Sequence, residues 1–398
     1  MIPKRALRLG VLAALGATAA CSLERLGGAP AGELDAGVDT GSGGSLVDDG
    51  GFGGAGGATD ASEDVDAPTP TLPYAFRRRL RVTPGASAVP AGASVTFRFD
   101  HRALVLAGKA RGDGKDVRVF YKASGPSQEL DRVLDPVSGW DRTDTALWFR
   151  AQTEISSPDG SYYLYYGDPS PSEPPENPNQ VYAFFDDFDG NALASGWVGA
   201  PIGNASGTFT VGNGMVRIEG ATGDVWNSGD DFLFLHRSMT GNFVLDALVT
   251  GSGGSASGWA KLGGLMIREG PSKGAKNRLI APVNGSVAIT SSYRLAADSA
   301  TAEATKPGAK LVPQFVRLAR RFDGVRAWHS ADGIDYAELG AETTFVSVLP
   351  DSLLVGIPFA NITGGKGWVD VDWFRVRVLV EAEPSVSEDP EEPGPFSP

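Results

Sequence analysis

The sequence predicts an all-β protein: two β-sandwich domains behind a disordered N-terminal tether. Three observations predict it. From Tyr74 onward the chain is a series of short alternating apolar runs, each bounded by Gly, Pro, Asp or Ser, and residues 74–167 hold no convincing helical period. Five prolines between Pro169 and Pro178 divide these runs into two groups. Before Pro73, residues 22–73 hold 13 glycines and a single aromatic residue, Phe52, too little apolar surface to offset chain entropy.

Residues 1–21, "MIPKRALRLGVLAALGATAAC", begin with Lys4, Arg5 and Arg8 and continue in an apolar stretch from about Leu9 to Ala17. The stretch is too short to span a bilayer and has the layout of a secretory signal peptide. Cys21 is the only cysteine of the 398 residues, so no intrachain disulfide or multi-cysteine zinc site can form. Small residues ending in that cysteine resemble the signal of bacterial lipoproteins, with Thr18 where a leucine is usual. The resemblance implies export and acylation of Cys21. It also implies a membrane partner reached through that lipid, at the outer membrane or cell surface, because Ser22 is not the retention aspartate. A Gly-rich coil over 22–73 would reach about 40 Å from that anchor.

The charge is unevenly placed. Of a net −13, residues 22–73 carry −9 and residues 381–398 carry −6, against +3 for residues 1–21, which leaves −1 for residues 74–380. A near-neutral body offers no surface to neutralise phosphates, so nucleic acid is not an expected partner. The acidic, proline-rich 381–398 reads as a disordered tail.

Residues 74–167 form a small sandwich from the strands "FRRRLRVTP", "ASVTFRFD", "DVRVFYKA", "TALWFRAQ" and "SYYLYYG". In the last of these, Tyr162, Leu164 and Tyr166 share one face, and Tyr163 and Tyr165 the other. A strand apolar on both faces is a core strand rather than a sugar platform. Residues 168–181 then read as a stiff Pro-rich linker. Residues 182–380 give a second, larger sandwich whose strands recur every ten to fifteen residues, with Gly-rich turns. The linker implies that the two sandwiches fold separately.

Two resemblances attach to these segments. "YAFRRRLRV", "GDGKDVRVFY" and "YYLYYGDPS" resemble a bacterial domain of unknown function found in secreted and surface proteins, which implies no catalytic residues. "DDFDG" at Asp186–Gly190, "GLMIR" at Gly264–Arg268, "RRFDGVRAWHSADG" at Arg320–Gly333 and "VDVDWFRV" at Val369–Val376 resemble the concanavalin A-like lectin/glucanase superfamily. This second resemblance implies a jelly roll, and a lectin-like module that binds glycan or another surface partner.

Six of the eight tryptophans lie in 182–380. Trp226 and Trp259 sit in Gly/Asp/Ser-rich loops and are the candidate sugar-stacking residues. Asp186, Asp187 and Asp189 are candidates for a structural calcium, although they fail the helix-loop-helix template. Asp370 and Asp372 would lie on one strand face about 6.6 Å apart, within the range of an inverting acid/base pair. That spacing keeps a polysaccharide-cleaving glycoside hydrolase of the same fold as the rival reading. The superfamily's longer catalytic Glu/Asp motif is missing, so no catalytic residue is assigned and the protein is expected not to be an enzyme. A third reading is a structural or adhesion protein without a small ligand. His101, His236 and His329 show no metal or nucleophile spacing.

Overall fold

The alternation from Tyr74 onward builds antiparallel strands throughout. The computed structural model describes residues 71–254, 260–261, 263–284, 288–308, 312–362 and 366–398. The signal peptide, Cys21, nearly all of the expected tether and Trp259 lie outside the described residues. In the first sandwich, one sheet runs in the order Ser385–Glu388, Phe76–Thr83, Asp159–Tyr166, Arg118–Tyr121, Gln128–Leu130. It faces a three-stranded sheet of Ser94–Phe99, Thr145–Arg150 and Val133–Leu134. Leu80, Val82, Phe97, Val119, Leu147, Phe149, Tyr162, Leu164 and Tyr166 fill the space between them. One feature runs against the reading of 74–167 as strand and turn alone. His101–Leu106 forms a short helix capped by Asp100, whose side chain accepts from the Ala103 amide. The tyrosine strand is buried on both faces, the second by Tyr74, Phe120 and Phe396.

The second sandwich is a jelly roll of two large antiparallel sheets. One is ordered Ser206–Gly212, Met215–Ala221, Gly367–Val378, Phe243–Gly254, Gln314–Arg321, Gly324–Ser330, Ala337–Glu338. The other is ordered Ala302–Pro307, Ala288–Arg294, Asn277–Asn284, Ala260–Lys261, Leu353–Asn361, Phe232–Met239, Val198–Ile202. Leu265–Arg268 also joins the second sheet, between Asn277–Asn284 and Leu353–Asn361. Their facing sides bury one continuous apolar core, from Phe184 through Leu245, Ile280 and Val316 to Phe374.

The acidic tail is not disordered, and this corrects the reading of 381–398. Ser385–Glu388 pairs antiparallel with the first strand, Leu80 opposite Glu388 and Thr83 opposite Ser385, and Glu392–Pro393 pairs with Phe76 and Arg77. The reason is electrostatic complementarity. "FRRRLRVT" lays a row of guanidinium groups along the sheet edge, and the tail supplies the anions. Arg77 meets Glu392 at 2.6 Å, Arg78 meets Glu388 at 2.6 Å, Arg81 meets Asp389 at 2.7 Å, and Lys109 pairs with Glu391. Tyr166 donates to Glu391 at 2.6 Å. Composition alone describes what a segment can bury by itself, and this one is ordered by its partner. Its lead-in, Val378 and Val380, already packs in the first core.

The proline-rich linker is also docked rather than free. Arg118 donates to the Ser172 carbonyl at 2.6 Å, and the Arg132 amide donates to the Pro175 carbonyl at 3.0 Å. Glu173 and Glu176 pair with Lys115 and Arg132. Residues 71–398 group into one compact unit. Val137 of the first sandwich packs on the outer face of the second at Trp373, Leu248 and Phe315, and Arg375 of that face lies over the rings of Trp148 and, at the linker's end, Tyr182. Asp246, fully buried in that face, receives Arg317 at 2.6 Å, Arg375 at 3.2 Å and Arg377 at 3.3 Å.

The tail's ion pairs fix its response to pH. The hydrogen bond from Arg81 holds the Asp389 carboxyl below its ordinary value. Burial opposes ionisation of Glu391, but hydrogen bonds from Lys109 and Tyr166 outweigh it and the net shift is also downward. Both groups therefore stabilise the docked tail fully above the ordinary carboxylate range, about pH 4–5, and lose that contribution as pH falls through their lower folded values. Amide exchange of residues 385–393, corrected for intrinsic rates, should show protection near neutrality and its loss in acid before the core opens. Protection of the tail that persists in acid until global unfolding would contradict this.

Candidate functional site

The site is built on a small hairpin over the outer face of the second sandwich's second sheet. Val225–Trp226 pairs with Gly229–Asp230. Asn227 turns the chain at φ 51°, a left-handed conformation that Asn tolerates better than most residues. Val225 is fully buried against Phe232, Phe234, Met266 and Leu279. Trp226 is half-buried at the tip, beside exposed Asn227, Ser228 and Gly229.

What holds the tip is a buried ion triad. Asp230 Oδ2 accepts from Arg268 Nη1 at 2.6 Å and from Arg294 Nη1 at 2.7 Å, and its Oδ1 accepts from Arg294 Nη2 at 2.6 Å. All three residues are fully buried. Arg294 also donates to the Asn227 carbonyl at 3.1 Å, an oxygen that Thr301 approaches at 2.9 Å. Arg268 reaches the Gly270 and Lys273 carbonyls at 2.8 and 3.1 Å. Burial lowers the Arg268 pKa, with the Asp230 carboxylate opposing. The charges are thus paired and nearly every remaining donor is used, which is the condition under which buried ions are tolerated. The chemistry available is positional: an aromatic face held at a fixed place and ringed by small polar groups.

The other predicted residues are not brought to this place by the described contacts. Asp186 accepts from the Phe188 amide at 2.9 Å and from the Trp197 indole at 2.8 Å. Asp187 accepts from the Asp189 amide at 3.3 Å. The three acids shape the turn that seats Phe188 and Trp197. Among the described residues, no group of three or more His, Cys, Asp or Glu is placed to hold a metal ion. Asp370 is largely buried and grips Arg217 bidentately at 2.8 and 2.7 Å, and Arg217 lies 4.2 Å over the Trp368 ring. Asp372 falls where the strand register skips, between Val371 opposite Val249 and Trp373 opposite Leu248.

Asp230, Arg268 and Arg294 were not singled out by the sequence reading. A signal existed: arginine closes two otherwise apolar or small-residue strands, "LMIR" and "AITSSYR". An arginine at a buried strand end requires an anion, but nothing in the order of residues says which one.

In comparison with known proteins, residues 113–199 match the family model described as Domain of unknown function (DUF2341). That match runs from the first sandwich through the docked linker to Gly199, and covers well under half of the chain. A search of curated proteins finds no match. Similar solved structures include a functionally unknown protein from Saccharomyces cerevisiae, at 18% identity over 49% of this chain and 96% of that one, TM-score 0.35. A GH43 protein mutant from Bacillus licheniformis is similar at 16% identity over 64% of this chain, TM-score 0.39, and the match spans 46% of that protein's length. A pseudo β-1,3-glucanase of Mycobacterium tuberculosis is similar at 16% identity over 50% of this chain and 99% of that one, TM-score 0.33.

The triad predicts a large penalty for losing its anion. Asp230→Ala would leave two guanidinium groups buried without a counter-charge and should cost about 3–5 kcal/mol. Urea denaturation of wild type and variant measures it. A difference below about 1 kcal/mol would show that the triad does not hold the hairpin.

Proposed function

We propose that this protein is a lipid-anchored, surface-displayed binding module, without catalytic activity, that takes glycan on the second sandwich at the Trp226 hairpin. The observation that carries the binding reading is the fixed aromatic tip: a tryptophan on a hairpin whose base is locked by a fully buried Arg–Asp–Arg triad. An aromatic face offers a sugar ring a large apolar contact at low entropic cost, provided the aromatic is already held in place. Against the glycosidase reading stands Asp370, the better buried of the two candidate acids. Its carboxylate is engaged by Arg217 through both oxygens and is poorly suited to exchange protons with a substrate. The anchoring part of the proposal rests on the sequence: basic residues, an apolar stretch, small residues, then Cys21 and a Gly-rich segment.

Two experiments test the halves separately. Trp226→Ala should weaken binding to any glycan found in an array screen of the intact protein by roughly fivefold or more. Asp370→Asn should leave that binding unchanged. Reducing-sugar release by wild type that disappears in Asp370→Asn would replace the binding module with a hydrolase. For the anchor, Cys21→Ser should move the protein from the membrane fraction to the soluble fraction, and a variant that stays membrane-bound would refute lipidation at Cys21.

A further inference from the structure

We propose that the first sandwich carries a second site, a small polar pocket that binds one neutral sugar ring through hydrogen bonds alone. In ligand class this rests on the glycan-binding reading, but it uses a different sandwich and different residues. The pocket has a volume of about 180 Å³ and lies where the strand Gln128–Leu130, the end of the strand Thr145–Arg150 and the linker helix Pro178–Val181 meet. Gln128, Gln152 and Gln180 line it, together with Glu129, Asp131 and Arg150. At about 30 Å³ per water it displaces roughly six solvent molecules, which is room for a small ligand rather than a chain.

Arg150 shows that the pocket is built. One of its nitrogens, Nη2, donates to the Asn179 carbonyl at 3.0 Å and the Tyr182 carbonyl at 2.5 Å. These bonds tie the strand end to the linker helix and fix the guanidinium at the pocket wall. Its Nε is buried and has no partner among the described residues. Gln152 is also fixed, donating through its amide nitrogen to the Arg150 carbonyl at 2.9 Å, so its side-chain oxygen is the group left to accept. Asp131 is held by the Asn177 amide at 2.7 Å, and Glu129 by Arg118 at 2.7 Å.

The charges select the ligand class. Glu129 is balanced by Arg118 and Asp131 by Arg150, so the lining carries no net charge that would attract phosphate, sulfate or another anion. A permanent cation would sit against Arg150. A neutral polyhydroxylated ring needs no such attraction and meets no such repulsion. Adjacent hydroxyls can donate to the carboxylates and to the Gln152 oxygen, while ring and hydroxyl oxygens accept from the amides of Gln128 and Gln180. This explains why the linker is docked: without the helix Pro178–Val181 the pocket loses Gln180 and the carbonyls that aim Arg150.

The test is a titration of the intact protein with glucose, galactose, mannose and N-acetylglucosamine, following the glutamine side-chain amide signals by NMR. At least one sugar should shift the signals of Gln128, Gln152 and Gln180 with millimolar affinity. Gln180→Ala, at an exposed helix position that the fold does not depend on, should weaken that binding by roughly tenfold, and Arg150→Met should abolish it. Trp226→Ala should leave it unchanged, so failure of this pocket and failure of the hairpin site are read independently. Sugar binding that survives Gln180→Ala, or no shift of these signals with any of the four sugars, would overturn the proposal.

Discussion

The contact between the two sandwiches is organised around one buried carboxylate. Asp246 sits with no exposure in the outer face of the second sandwich and is approached by Arg317, Arg375 and Arg377. Burial alone would push its carboxyl up, but the three guanidinium groups outweigh burial and drive it strongly down. The arginines in turn need more than one anion. Arg375 lies 3.7 Å from Asp135 of the first sandwich and stacks near Trp148, Tyr182 and Trp373 at 5.0–5.2 Å. Arg377 takes Glu383 at 2.7 Å, at the start of the tail. Each sandwich therefore supplies groups that the other must neutralise or cover. Exposing this face would leave Trp373, Leu248 and Phe315 in water beside a cluster of charge built for a dry setting.

The tail closes the same arrangement from the other side. After leaving the second sandwich through Val378 and Val380, the chain returns to the first strand of the first sandwich and pairs along it. Leu72 then meets Phe396, amide to carbonyl at 2.8 Å, so the start and end of the described body lie side by side. The near-neutral charge of residues 74–380 now has a second meaning. The arginine-rich first strand is balanced by acids from outside that range, and the sheet edge it would otherwise expose is covered.

Much of this architecture was legible in the sequence, and the losses follow a pattern. Alternation exposed the strands, and the double-faced tyrosine run was readable as core because Tyr162 to Tyr166 leave no polar face. Local pattern failed wherever order comes from a distant partner. Residues 381–398 look disordered until the arginines some 310 positions earlier are set beside them. The proline-rich linker looks like a spacer until Arg118 and Arg132 bind the carbonyls of Ser172 and Pro175. Asp370 looks like an available acid until Arg217 is found gripping both of its oxygens. At the candidate site the tip, Trp226, was visible as an aromatic in a polar loop. The triad beneath it was not, because Asp230, Arg268 and Arg294 come from three separate segments and only the fold brings them together.

The central claim is that the two sandwiches and the tail are one cooperative unit. Differential scanning calorimetry of the intact protein tests it most directly, by comparing the calorimetric with the van't Hoff enthalpy of unfolding. The account predicts a single transition in which the two enthalpies agree, displaced as a whole to lower temperature by Asp246→Asn. Two resolved transitions in the wild-type protein, only one of them moved by that substitution, would contradict it.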